Sequence, residues 1–174
     1  DLTKAQVDLA AIIEDLMKKM EAQFRTQFDE LNRNFQETFV NLFGGGRAEL
    51  QLSDPKDVLN CSIEVVAQPP GKKLQMLSLL SGGERALTAI AILFAILDLK
   101  PTPFCILDEI EAALDDANID TYADYLKSYS ENTQFIVITH RKGTMERCNA
   151  LFGVAMEEQG VSKMVSVSLQ DYKE

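Results

Sequence analysis

Two adjacent carboxylates, Asp108 and Glu109, follow directly after the apolar run at residues 104–107. An apolar run without alternation is typical of a strand buried in a parallel sheet, and α/β proteins bind ligands at the carboxyl edge of such a sheet. Asp108 could hold Mg²⁺, usually through water, and Glu109 could polarise an attacking water. Taken alone, the pair could equally be two solvated carboxylates at the start of a helix.

A second candidate site lies at Ser81, Gly82 and Gly83, which precede an apolar segment from about Arg85 to Leu97 that predicts a buried helix. A serine and two glycines at a helix N-terminus expose backbone N–H groups and a hydroxyl at the positive end of the helix dipole. This pattern predicts an anion site. The same residues could also serve only as an N-terminal cap.

His140 is the single histidine of the chain, so a His-rich metal cluster is excluded. It follows a second apolar run at residues 135–138, and a helix is predicted between the two runs, from about Asp116 to Ser130. This order predicts a right-handed βαβ crossover, which brings His140 to the same sheet edge as Glu109. A lone histidine is more often structural, but from this edge it could reach a terminal phosphate. Asp115 lies a few residues beyond Glu109, close enough to lie across an interface from the same site.

The N-terminal segment, residues 1–42, contains no Pro and no Gly and has apolar residues at helical spacing, which predicts one long helix. Its stripe follows a heptad from Leu2 to Met20 and then an eleven-residue repeat to Leu42. Such a helix would be roughly 60 Å long, so we expect its first part to leave the globule and its Phe-rich second part to pack. The alternative is an amphipathic helix packed along its own domain. The glycines at 44–46 predict its end.

The remaining segments predict strands. Residues 47–68 alternate like an antiparallel hairpin with a turn at 53–55, a loop follows from Pro69 to Leu80, and residues 151–156 and 163–169 predict a closing hairpin that ends at Leu169. The face of the first hairpin that we expect to be apolar consists of Ala48, Leu50, Leu52, Leu59, Cys61, Ile63 and Val65.

Composition restricts the class of protein. With 174 residues and 46% apolar content the chain can bury one core, and a net charge of -10 disfavours nucleic-acid binding by the surface as a whole. Three widely separated cysteines fit neither a disulfide framework nor a CxxC zinc site. The most apolar window, residues 86–97, is too short to cross a bilayer. The start at Asp1 suggests no signal peptide and an excised fragment.

Four motifs occur together in one order and spacing. Residues 80–84, 104–109, 113–115 and 138–140 resemble the signature motif, Walker B, D-loop and H-loop of an ABC ATPase. The wider stretches 69–73, 108–118 and 134–142 resemble the head of bacterial structural maintenance of chromosomes (SMC) proteins. The resemblance implies an α/β fold, the C-terminal lobe of an ABC-type P-loop ATPase head with a mixed sheet. It divides the chain into a coiled-coil stalk and neck helix, 1–42, and the lobe, 43–174.

The phosphate-binding pattern GxxxxGK[ST] is missing from the chain. SMC-like proteins supply this loop from an N-terminal lobe, so the resemblance implies that the isolated chain is inactive and becomes an ATPase when assembled with that lobe. It also assigns roles, with ATP and Mg²⁺ as cofactors. Asp108 would place Mg²⁺, Glu109 would act as general base, His140 would contact the γ-phosphate, and Ser81, Gly82, Gly83 and Asp115 would bind ATP held on a second head.

The SMC resemblance further implies chromosome condensation and segregation in the cytoplasm, at the nucleoid, without a membrane. The implied partners are the N-terminal lobe, a second SMC head, DNA through the full complex, and the C-terminal winged-helix domain of a kleisin, with residues 161–169 as the candidate docking region. Two alternatives stay open: a head lobe of a related DNA-repair coiled-coil ATPase, and a scaffold module that does not hydrolyse ATP.

Overall fold

The computed structural model describes residues 2–168 and divides into two compact units, Asp1–Pro101 and Thr102–Glu174. The mixed α/β fold with a long N-terminal helix is as predicted. Within the described residues no helix is both long and apolar enough to span a membrane. The first unit contains α1 (Leu2–Phe43), β1 (Arg47–Leu52), β2 (Ile63–Gln68), β3 (Gln75–Met76), a 3-10 turn (Leu77–Leu79) and α2 (Gly82–Leu99). The second contains β4 (Phe104–Asp108), α3 (Asp116–Tyr129), β5 (Gln134–Ile138), α4 (Lys142–Met145), β6 (Ala150–Glu158) and β7 (Val161–Ser168).

Helix α1 changes its surroundings along its length. Its last turns bury Phe35, Phe39 and Leu42 and pack against α2. Arg25 Nη2 donates to the Pro55 carbonyl at 2.9 Å, and Asn32 exchanges two hydrogen bonds with the backbone of Leu50. Earlier apolar residues are 49–64% exposed, so packing along the whole helix, the alternative from the sequence, is wrong for the first part. These exposed residues are Val7, Leu9, Ile12, Ile13, Leu16, Met17 and Met20.

The glycines at 44–46 end α1 with positive φ angles of 67°, 142° and 81°. A Cβ on Gly46 would lie 2.3 Å from the Gln68 carbonyl oxygen, so the chain approaches its own backbone here. Strands β1 and β2 pair antiparallel as predicted, with Leu50 opposite Val65. The prediction that Leu59 and Cys61 lie on the second strand is wrong, because residues 53–62 form turns. The expected loop before Leu80 also contains β3, which pairs with β2.

Helix α2 begins at Gly82, earlier than the predicted Arg85, so both glycines lie in its first turn. Its apolar character is explained by burial on several sides. The buried residues are Leu87, Thr88, Ile90, Ala91, Phe94, Ala95 and Leu97. This burial fixes α2 and, with it, the orientation of its N-terminus.

In the second unit β4 and β5 pair in parallel, with α3 between them in sequence, which confirms the predicted βαβ order. Within this chain only one face of these strands is covered, although apolar runs without alternation are typical of strands buried on both faces. Ring contacts from Tyr129 of α3 reach Phe135, on the face that also holds buried Leu107. The opposite face is open in this chain: Phe104 is 55%, Ile106 57%, Ile136 48% and Ile138 51% exposed.

Strands β6 and β7 form the predicted closing hairpin, paired antiparallel from Ala150 opposite Ser168 to Glu158 opposite Val161. Leu169, the predicted end of the hairpin, lies outside the described residues. Register places Phe152, Val154, Met156 and Met164 on one face, and each of these side chains is at least 64% exposed. The hairpin therefore presents an apolar surface.

Candidate functional site

The two strand ends of the second unit bring Glu109 and His140 together. Asp108 is the last residue of β4 and pairs with Ile138, the last residue of β5. The Glu109 N–H donates to the Ile138 carbonyl at 3.0 Å, and His140 Nδ1 lies 3.3 Å from Glu109 Oε1. Both side chains are more than half exposed, so water can reach them. The pair combines a carboxylate and an imidazole at a solvent-exposed sheet edge, which suits proton transfer.

Among the described residues Glu109 is the only non-glycine with a positive φ, 49°. A side chain in this left-handed region costs about 1 kcal/mol or more and persists where the surroundings hold it. The turn that follows is closed by two backbone bonds, Ala112 N–H to the Glu109 carbonyl at 3.0 Å and Leu114 N–H to the Glu111 carbonyl at 2.9 Å. Such an observed backbone outlier is typical of functional sites.

Asp115 caps the N-terminus of α3. Its carboxylate accepts from the Asn118 N–H at 2.9 Å and remains exposed. The preceding carbonyl, of Leu114, accepts a hydrogen bond from the Arg141 guanidinium. The segment from Glu109 to Asp115 is therefore tied to the segment that carries His140.

Ser81, Gly82 and Gly83 belong to the other compact unit, at the start of α2. Ser81 is exposed and caps the helix in a capping box with Glu84: its Oγ accepts from the Glu84 N–H at 3.4 Å, and Glu84 Oε2 accepts from the Ser81 N–H at 3.0 Å. The Ser81 hydroxyl also donates to Glu84 Oε2 at 2.7 Å. A Cβ on Gly82 would meet no heavy atom within 4 Å, so the packing of this chain does not require a glycine there.

Lys72 lies beside the capping box of Ser81 and Glu84, and the sequence analysis did not predict a role for it there. Its Nζ lies 2.8 Å from Glu84 Oε1, across a gap in sequence of twelve residues. Only the Pro-Pro-Gly-Lys-Lys run marked the position, and that run predicted a loop without a partner. Lys72 thus balances the carboxylate that is bonded to Ser81.

Replacing Lys72 by Met should lower stability at neutral pH and leave it unchanged in acid. The Lys72 hydrogen bond, helped by those from Ser81 and opposed by partial burial, holds the pKa of Glu84 below its ordinary value of 4.5. A lowered folded pKa contributes stability above the ordinary pKa, and this contribution is lost as pH falls through the lowered pKa. We expect a loss of about 0.5 kcal/mol at pH 7, about 1–2 °C in Tm.

Thermal unfolding of wild-type and Lys72→Met chains at pH 7 and at pH 3 measures this difference. Lys73→Met is the matched control, since Lys73 is exposed and forms no ion pair with another residue of the described range 2–168. An equal Tm difference at both pH values would contradict the assignment to Glu84.

A buried carboxylate, Glu111, is a second feature that the sequence did not indicate; it is 1% exposed. Burial raises the pKa of the Tyr122 phenol and of the Cys148 thiol, and the negative charge of Glu111 is the second cause in both. Glu111 therefore lies in a poorly solvated interior, which an acidic residue in a sequence gives no reason to expect.

The exposed carboxylate of Asp108 suits a magnesium ion. No group of three or more His, Cys, Asp or Glu side chains that could hold a metal occurs in residues 2–168. Mg²⁺ keeps several waters and is commonly held by one or two carboxylates together with substrate phosphates. A single carboxylate at the sheet edge fits that mode.

Comparison with known proteins gives consistent matches. Residues 3–163 match the family described as RecF/RecN/SMC N terminal domain. The chromosome partition protein Smc of Bacillus subtilis (strain 168) is 59% identical over 100% of this chain, which spans only 15% of that relative's length.

Solved structures agree in fold. The Smc head domain with an extended coiled coil from Pyrococcus furiosus, bound to the C-terminal domain of ScpA, superimposes with a TM-score of 0.84 at 42% identity, covering 95% of this chain and 41% of that chain. A structure from work on ATP-driven dimerization and DNA-stimulated activation of SMC ATPases gives a TM-score of 0.80 at 43% identity, covering 87% and 92%. The chain therefore belongs to the RecF/RecN/SMC family and has the fold of an SMC head domain.

Proposed function

We propose that this chain is the C-terminal half of an SMC head, which completes an ATP site with an N-terminal lobe, engages a second head across ATP and hydrolyses it. The observation that carries the proposal is the contact of Glu109 with His140 at the carboxyl edge of a parallel sheet, 3.3 Å apart. The absence of GxxxxGK[ST] from the sequence supports the C-terminal half. Because the matching family is described by an N-terminal domain, this placement rests on the motifs alone.

The open face of the β4–β5 sheet supports a partner lobe. Phe104, Ile106, Ile136 and Ile138 form a run of exposed apolar side chains on adjacent parallel strands. Parallel sheets are normally covered on both faces, and contiguous apolar patches mark interaction surfaces. The N-terminal lobe is the segment we assign to this face.

In the proposed reaction Glu109 accepts the proton of the water that attacks the γ-phosphate. Its exposure leaves room for that water, and His140 at its side would donate a hydrogen bond to the γ-phosphate. Asp108 would hold Mg²⁺, which supplies positive charge to the phosphate oxygens when bound. The left-handed backbone at Glu109 lies directly after the last residue of β4, where the chain leaves the strand.

The start of α2 is assigned to the ATP of the second head. Exposed Ser81 and the backbone N–H groups of Gly82 and Gly83, in the first turn of α2, would bind its γ-phosphate. By its resemblance to the D-loop, Asp115 is assigned to the ATP of a second head as well. A Cβ on Gly82 would have no heavy atom within 4 Å, so a ligand has room to approach the backbone there. ATP that contacts both heads favours the engaged state, and its cleavage removes the contacts that favour it.

The apolar face of the β6–β7 hairpin is our candidate for kleisin docking. A related head is bound to the C-terminal domain of ScpA, and another to the C-winged helix domain of ScpA. The exposed stripe of α1 would pair with an antiparallel helix of the same protein. DNA would contact the complete complex, at the nucleoid in the cytoplasm, as the chromosome-partition role of the relatives suggests.

Co-expression with the N-terminal lobe of the same protein tests the proposal. We expect ATP hydrolysis by the reconstituted head and none by this chain alone. Hydrolysis by the isolated chain, or a reconstituted head that binds no ATP, would contradict it. A head that engages across ATP without hydrolysis at any concentration would favour the scaffold alternative.

A further inference from the structure

The carboxylate of Glu111 joins two loops beneath the Glu109–His140 pair. Its Oε1 accepts hydrogen bonds from the hydroxyls of Thr139, at 2.5 Å, and Thr144, at 3.1 Å. Its Oε2 is buried without a hydrogen-bond partner in the described structure. A buried carboxylate with an unsatisfied oxygen is costly, so a role in positioning the loops is worth testing beside a role in stability.

The hydrogen bonds of Glu111 to Thr139 and Thr144 form one tie between the segment after β4 and the segment after β5. A second tie between the same two segments involves Arg141. The Arg141 guanidinium bonds to the Leu114 carbonyl, and the Arg141 N–H donates to Thr139 Oγ1 at 3.0 Å. The Thr139 hydroxyl therefore donates a hydrogen bond to Glu111, in the segment after β4, and accepts one from the Arg141 N–H, in its own segment. Both ties connect the segment after β4, which holds Glu109, to the segment after β5, which holds His140.

We propose that Glu111 is a positioning residue for ATP hydrolysis: through Thr139 and Thr144 it fixes the strained backbone of Glu109 and the distance of its carboxylate from His140. This inference rests on the proposed function. Glu111 is two residues from Glu109, and Thr139 directly precedes His140, so each end of the tie lies next to a reacting side chain. The Glu109 N–H bond to the Ile138 carbonyl joins the two backbones on the strand side of both connections.

An apolar residue of similar size would avoid the cost of burying a carboxyl group but would leave both threonine hydroxyls without their acceptor. The loops could then shift against each other while the strands remain paired. A displacement of about 1 Å between catalytic groups can cost about 100-fold in rate. The expected consequence is a catalytic defect in a folded head.

The test uses the full-length protein with its partners and the variants Glu111→Leu, Glu111→Gln and Thr139→Val. Glu111→Leu should lower kcat per ATP-binding head about 10- to 100-fold with an unchanged KM for ATP. Glu111→Gln keeps the Oε1 acceptor and should restore most of kcat. Thr139→Val should lower kcat in the same way and add little to Glu111→Leu, because both remove the hydrogen bond between Thr139 and Glu111.

Thr133→Val is the matched control. Thr133 is 3% exposed in the same unit and its hydroxyl donates to the Thr102 carbonyl at 3.2 Å, away from both loops. It should lower Tm and leave kcat per ATP-binding head unchanged. If Glu111→Leu does not fold, Thr139→Val carries the test.

Wild-type kcat per ATP-binding head in Glu111→Leu or Thr139→Val would overturn the inference, because a purely structural role reduces only the number of competent heads. If Glu109→Gln retains turnover, the proposed function fails first. If Glu109→Gln blocks turnover while these variants do not, only the positioning role of Glu111 fails.

Discussion

Glu109→Gln should lower ATP turnover of the complete head by about 10²- to 10⁴-fold while ATP-dependent head engagement persists. The amide has nearly the shape of the carboxylate but cannot accept the proton of the attacking water. Because the Glu109 side chain is 54% exposed, the substitution should leave the fold intact. Steady-state ATPase rates and ATP-induced dimerisation of the same sample measure the two effects separately.

Glu131→Gln, at an exposed carboxylate beyond α3, controls for loss of charge in this unit. It should hydrolyse ATP at the wild-type rate. Wild-type turnover in Glu109→Gln would remove Glu109 from the reaction, and loss of engagement would show that the carboxylate serves binding instead.

Ser81→Arg should keep ATP binding in the complete head and abolish its ATP-induced dimer. A long cation at the start of α2 would occupy the position assigned to the phosphate of the opposite head. Loss of the capping hydroxyl costs about 1 kcal/mol, too little to unfold a domain, and the new charge lies beside Glu84. Sedimentation with ATP should give monomeric heads.

Ser128→Arg is a matched control, since Ser128 is also exposed but its hydroxyl bonds to the Tyr125 carbonyl within α3. It should dimerise with ATP as the wild type does. An ATP-induced dimer of Ser81→Arg would exclude the assigned contact.

Elements with a strong periodic pattern could be predicted from the sequence. Helix α1 follows its apolar spacing over 42 residues, and the order β4, α3, β5 follows from two apolar runs with a helical segment between them. Parallel pairing then explains why Glu109 and His140 meet, since both follow strand ends at one edge. That proximity follows from sequence; the roles of the two side chains remain predictions.

The differences have physical causes that local sequence does not contain. The apolar runs of β4 and β5 indicate that both faces of these strands suit burial. They do not indicate which segment packs against each face, and Phe104 and Ile136 are exposed in this chain. Strand β2 starts late because Asp57 accepts bonds from Asn60 and Cys61, which closes turns where alternation suggested a strand. Burial of Glu111 depends on threonines about thirty residues away.

Helix α1 is continuous from Leu2 to Phe43, so a rotation at its packed end moves its free end. Its portion before the Arg25 bond to Pro55, residues 4–24, is roughly 30 Å long and continues without Pro or Gly into the turns that pack on α2. A tilt of about 10° at the base would therefore swing the far tip by about 5 Å. A small reorientation of α2, whose first residue follows Ser81, would therefore produce a larger displacement at the far end of α1.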